Sequence, residues 1–178
     1  MPIQFTLNKT LHTYDIQQIE LAEESNTRPA SIHQMCHNNI KRVNTDMLNR
    51  VIPALERITG LKHTLDDVMI YLRDVEAYEE DQILQHMPVD NESLGAISGI
   101  KYTLSETLIK YNLSQNELAI QSQTRLATIH QICRSELIRV NIEMLDRIIS
   151  TLDRLTGEKH SLKDVMIYVH SDKEKDAE

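Results

Sequence analysis

Apolar residues recur at helical spacing through most of this chain, and the polar residues between them mark where one helix stops and the next begins. Leu7, Leu11 and Tyr14 share one face of a first helix over residues 5–14. Ile19, Leu21 and Ala22 place a second over 17–24. Ser25 and Asn26 then read as a tight turn, because Asn tolerates a positive φ better than most residues. Gln123, at the matching place later in the chain, tolerates it less well. Pro29 suits the first turn of a third helix, where its missing N–H breaks no bond. A fourth helix over 45–59 buries Met47, Leu48, Val51, Ile52, Leu55 and Ile58, and Gly60 ends it in a left-handed cap. The hydroxyl of Thr64 and the acid of Asp67 signal another helix start. Residues 65–72 are apolar nearly all round, which predicts a short fifth helix buried on more than one side.

The whole series then repeats at an offset of 97 residues, with Leu7 on Leu104, Leu21 on Leu118, Ile32 on Ile129, Cys36 on Cys133 and Met69 on Met166. No gap is needed from 5–73 onto 102–170, and about half of the positions are identical. Solenoid units run roughly 20–50 residues, so this longer period is a duplicated domain. The sequence therefore predicts an all-α protein of two five-helix domains, 1–73 and 101–170. An acidic, partly helical linker joins them over 74–100, and 171–178 forms a charged tail. The apolar fifth helices face their own domain on one side and each other, or a second chain, on the other.

The third helices hold the polar groups that could act on something outside the protein. Ile129, Ile132, Cys133 and Leu137 make one apolar stripe, and Thr128, Gln131 and Arg134 lie opposite it. The run Leu113-Ser114-Gln115-Asn116-Glu117-Leu118-Ala119, followed by Thr128-Ile129-His130-Gln131-Ile132, resembles the Cro/CI-type, lambda-repressor-like helix-turn-helix. Copy one carries the same pattern at Gln18–Ala22 and Ser31–Met35. In that family the second helix of the motif lies in the DNA major groove. The resemblance implies that Gln18 and Gln115 sit against phosphate and the recognition helix. It puts Pro29, Ala30, Ser31 and Gln34 in base-facing slots of copy one, and Leu126, Ala127, Thr128 and Gln131 in those of copy two. A planar amide such as Gln34 or Gln131 can bond adenine N6 and N7 together. His33, His37 and His130 would face the groove, Arg28, Lys41, Arg125, Arg134 and Arg139 would meet phosphates, and Arg42 belongs to the same DNA-binding set.

Charge changes this picture less than its total suggests. The net charge of −8 opposes non-specific DNA binding, which phosphate neutralisation drives. Yet residues 25–45 contain no acid, and 122–141 contain Glu136 alone. The negative charge is concentrated in the linker and the tail. Cys36 and Cys133 are repeat-equivalent and lie on apolar helix faces, as buried reduced thiols of a cytoplasmic protein would. His33, Cys36 and His37 have metal-ligand spacing, but copy two has Arg134 in place of the second His, so no metal or other cofactor is expected. His63 and His160 read as loop or cap residues. No phosphate-binding Gly loop, nucleophile elbow or paired-carboxylate site occurs, so no enzyme is expected. Neither a signal peptide nor an apolar run long enough for a membrane span is present.

The expected function is a sequence-specific regulator of transcription that binds double-stranded DNA. Family resemblance makes it a repressor from a phage, plasmid or other mobile element. Two unlike reading heads imply an imperfect inverted repeat as operator. The alternative is a helix-turn-helix module that binds protein, such as an antirepressor, an antitoxin or a nuclease inhibitor. The sequence also leaves open a homodimer through the fifth helices or the linker, and a regulatory protein partner.

Overall fold

In a computed structural model, which describes residues 3–72 and 99–170, each repeat is a helix-turn-helix unit closed by short strands. Copy one runs β1 (Ile3–Phe5), α1 (Leu7–Thr13), α2 (Gln18–Glu24), α3 (Pro29–Cys36), β2 (Arg42–Asn44), α4 (Thr45–Thr59), a 3-10 turn (Leu65–Asp67) and β3 (Met69–Tyr71). Copy two follows with β4 (Gly99–Tyr102), α5 (Leu104–Lys110), α6 (Gln115–Gln121), α7 (Leu126–Cys133), β5 (Arg139–Asn141), α8 (Ile142–Thr156), a 3-10 turn (Leu162–Asp164) and β6 (Met166–Val169). The acidic linker and the tail lie outside the described residues, apart from Gly99 and Ile100, which open β4.

The all-α expectation is thus overturned, because among the described residues six strands form three two-stranded antiparallel sheets. The expected fifth helices are 3-10 turns that run into strands. β3 pairs with β1 through Phe5↔Met69, and β6 pairs with β4 through Tyr102↔Met166. The first helix accordingly starts at Leu7, with Phe5 in the strand. A short, uninterrupted apolar run such as Val68–Met69–Ile70 fits a doubly covered strand as well as a buried helix, and periodicity cannot separate them. The Thr64 and Ser161 signals are real, but the capping boxes they form with Asp67 and Asp164 start single turns. Thr6 and Thr10, with Thr103 and Thr107 in copy two, lock each turn down by donating to its backbone carbonyls at 2.6–2.7 Å.

The long helices follow their sequence signals. Asn44 and Asn141 accept backbone N–H bonds at the starts of α4 and α8, from Asp46 at 2.8 Å and Met144 at 3.1 Å. Gly60 and Gly157 end them at φ of 70° and 72°. Asn26 and Gln123 both take the left-handed conformation between the helices of the motif, at φ of 48° and 52°. A Gln there carries a backbone cost that Gly avoids, whereas Asn carries less of it. Gln123→Gly should therefore raise the free energy of unfolding by about 0.5–1 kcal/mol, and Asn26→Gly by less. Urea unfolding of the two variants measures the difference, and an equal or reversed order would contradict the assignment.

The third sheet joins the copies. β2 pairs with β5 antiparallel, Arg42 opposite Asn141, Val43 opposite Val140 and Asn44 opposite Arg139. Val43 therefore meets its own counterpart, while Arg42 meets the counterpart of Asn44 and Asn44 meets the counterpart of Arg42, which is the pattern of a two-fold axis through Val43 and Val140. The relation continues outwards, since Thr45 N donates to Ile138 O at 2.9 Å and Ile142 N donates to Lys41 O at 3.1 Å. Asp66 and Lys163, also counterparts, form an ion pair at 2.7 Å on the same axis. Off the axis, Asn49 of α4 caps the free edge of β4 by accepting Ile100 N at 2.7 Å. The Tyr71 hydroxyl reaches Ser150 of α8 at 3.2 Å, and His170 reaches Glu56 of α4 at 2.7 Å. One hydrophobic cluster runs through both copies, from Leu7, Ile32 and Leu48 to Leu104, Ile129 and Leu145.

Candidate nucleic-acid interface

The third helix of each copy, α3 or α7, is anchored on one side and open on the other. Ile32, Met35 and Cys36 are buried under α3, and Ile129 and Ile132 under α7. Cys133, expected to be buried, is only half so. Burial pushes the Cys36 thiol up to about 11 and raises that of Cys133, which keeps both protonated and poorly nucleophilic near neutral pH. The open face of α3 carries Ala30, His33, Gln34 and His37, all exposed and spaced i, i+3, i+4 and i+7. That of α7 carries Ala127, His130, Gln131 and Arg134 in the same places. Ser31 and Thr128 sit half-buried at the margins of these faces. Pro29 is exposed, and Leu126 has 37% of its surface exposed.

Gln18 is half-buried at the start of α2, where its Oε1 accepts from His33 Nδ1 at 3.3 Å, so it braces α3. Gln115 holds the matching position on α6 and is also half-buried. His37 donates from Nδ1 to the His33 carbonyl at 2.8 Å, and the two rings lie tilted at 39° with centroids 4.0 Å apart. Cys36 points into the core, away from both, and the three do not converge on a common point. Among the described residues no group of three His, Cys, Asp or Glu side chains could hold a metal ion.

Engagement of the cations separates two sets. Arg57 pairs with Glu24, Lys101 with Glu106 at 2.8 Å and Arg154 with Gln121 at 2.9 Å, while Arg50 donates to the turn carbonyl of Asn26 at 2.9 Å. Arg28, Lys41, Arg42, Arg125, Arg134 and Arg139 are exposed, and their side chains make no ion pair or hydrogen bond among the described residues. Gln34 and Gln131 are likewise free to bond outwards. Lys62, Arg147 and Lys159 are exposed and unpaired among the described residues as well, but the six cations of the second set are grouped on the residues that flank α3 and α7 and on the ribbon.

The sequence reading missed the ribbon and what supports it. Tyr102 donates its hydroxyl to Leu137 O at 2.7 Å and so fixes the approach to β5; burial raises its phenol well above the ordinary range. Copy one has Phe5 instead, and there Phe5 N donates to Asn38 Oδ1 at 2.6 Å. The available signal was the triplet Arg-Val-Asn, identical at 42–44 and 139–141 just before a helix start, although Lys41 and Thr45 on either side become Ile138 and Ile142. His63 and His160, read as loop or cap residues, are buried against Thr59 Oγ1 at 2.9 Å and Asp153 Oδ1 at 3.2 Å, each edge-on to a tyrosine ring. Among the described residues no helix is long and apolar enough to cross a membrane. Comparison with protein-family models, with curated proteins and with solved structures finds no match for this chain.

Proposed function

We propose that this chain is a sequence-specific double-stranded DNA-binding regulator, a repressor of the Cro/CI type in which one polypeptide does the work of a dimer. The observation that carries the reading is the ribbon between β2 and β5. Its counterpart pairing relates α3 to α7 by a two-fold axis, and an inverted-repeat operator has that same symmetry. The uncompensated cations and the free amides of Gln34 and Gln131 support it. In this mechanism α3 and α7 enter successive major grooves about one helical turn apart and exclude polymerase from the site they cover. The amides read adenine and the arginines hold phosphates. The two half-sites share the bases read by Ala30 and Gln34, or Ala127 and Gln131, and differ where Pro29 and Ser31 become Leu126 and Thr128.

Selection from random duplex DNA tests this. It should enrich an imperfect inverted repeat. Gln34→Ala should then relax base preference in one half and Gln131→Ala in the other, each by ~1–3 kcal/mol. No enrichment at low salt, where electrostatic binding is strongest, would sink the proposal. A second reading, a protein-binding module, draws on Ile109 and Ile120, which are 80% and 66% exposed where copy one has His12 and Glu23. That reading stands only if no duplex is enriched.

A further inference from the structure

Both copies spend a β-strand on the residues that follow the recognition helix, and the strand's chemistry goes beyond joining the copies. In the ribbon Val43 and Val140 are buried on the core side, so the residues on either side of each face outwards. Two of those, Asn44 and Asn141, turn back to cap α4 and α8. The other two, Arg42 and Arg139, are exposed and without a partner among the described residues. They lie diagonally across the ribbon, one on each side of the Val43–Val140 pair. Diagonal neighbours of this kind are roughly 7–8 Å apart. Only short segments, 37–41 and 134–138, separate the ribbon from the ends of α3 and α7. The outward face of the ribbon therefore lies between the two reading heads, on their axis.

On B-DNA, two helices that occupy successive major grooves from one side leave a minor groove facing the protein at the dyad between them. We propose that Arg42 and Arg139 enter that central minor groove, so that the ribbon forms a third contact with the operator and selects an A·T-rich centre. The inference rests on the DNA-binding reading above and adds a site to it. A narrow A·T-rich minor groove concentrates negative potential and attracts arginine, whereas the amino group of guanine obstructs it. Two guanidiniums at diagonal spacing match a groove about 6 Å wide, and neither forms an ion pair among the described residues. Both copies keep the arginine while the adjacent Lys41 becomes Ile138, and a requirement at the axis for this side chain from each half accounts for that difference.

The test keeps both selected half-sites fixed and varies the base pairs between them. The intact chain should bind an A·T centre roughly tenfold more tightly than a G·C centre of the same length. The double variant Arg42→Gln, Arg139→Gln should lose that preference while keeping its half-site sequence. Its circular dichroism melt should match that of the parent, because neither side chain is buried. Arg147→Gln, a change at an exposed cation on the helix after the ribbon, should leave the centre preference intact. Equal loss on both centres in the double variant would reduce the ribbon arginines to phosphate contacts and overturn the inference. Indifference of the intact chain to the centre would overturn it too, with the DNA-binding reading left standing. Failure to select any duplex would remove that reading and the inference together.

Discussion

Val43→Asp should lower the free energy of unfolding by about 3–5 kcal/mol and abolish binding to a two-part operator, although residue 43 lies outside both α3 and α7. Val43 is 1% exposed and lies opposite Val140, itself 1% exposed, at the axis of the ribbon. A carboxylate there meets an apolar wall, because the nearest cations, Arg42 and Arg139, point to the other face. Burial raises the pKa of the introduced carboxyl. The penalty is therefore smallest below about pH 4, where the group is neutral in both states, and grows as pH rises through the folded-state pKa. Urea unfolding across pH, with operator titration alongside, measures both effects. A variant that keeps parental stability at neutral pH would show that the ribbon does not hold the copies together.

Ile129→Ala should cost about 2–5 kcal/mol and lower the Tm by roughly 5–15 °C. Ile129 is fully buried and anchors α7, so its removal leaves a cavity beneath that helix. The more telling expectation concerns copy one. Because the core is continuous and is cross-linked by the ribbon, Asn49, Tyr71 and the Asp66–Lys163 pair, both copies should unfold together in one transition. Circular dichroism would show a single melt, and hydrogen exchange would show loss of protection at Leu7 and Leu48 as well as in copy two. Two separated melts, with copy one unmoved, would contradict a shared core.

The helix-turn-helix was legible because its signals are local. Asn26 and Gln123 in left-handed turns, Pro29 at a helix start, and Gly60 and Gly157 as caps each act within a few residues of chain. The exposed faces of α3 and α7 follow from the 3.6-residue period alone, so the candidate contacts His33, Gln34, His130 and Gln131 could be named before any fold was known. The strands were not legible in this way. A three-residue strand such as Arg42–Asn44 shows one alternation of exposed and buried positions, too little to distinguish from a loop. Its partner is residues 139–141, far along the chain, and no local preference encodes that choice.

The sequence by itself determined the duplication, the helices of both motifs, and which polar side chains α3 and α7 present, since periodicity and capping are short-range physics. Tertiary structure alone decided that Met69–Tyr71 is an extended run and that the copies meet through Arg-Val-Asn. It also decided that Asp66 and Lys163 face each other with opposite charge on one axis. The physical reason is that backbone N–H and C=O groups of short segments must find partners, and an isolated three-residue strand can find them only on another strand. Once β3 is paired with β1, the unsatisfied edges and apolar faces of each copy are left to be covered by the other. Two linked domains thereby become a single body with a symmetry axis.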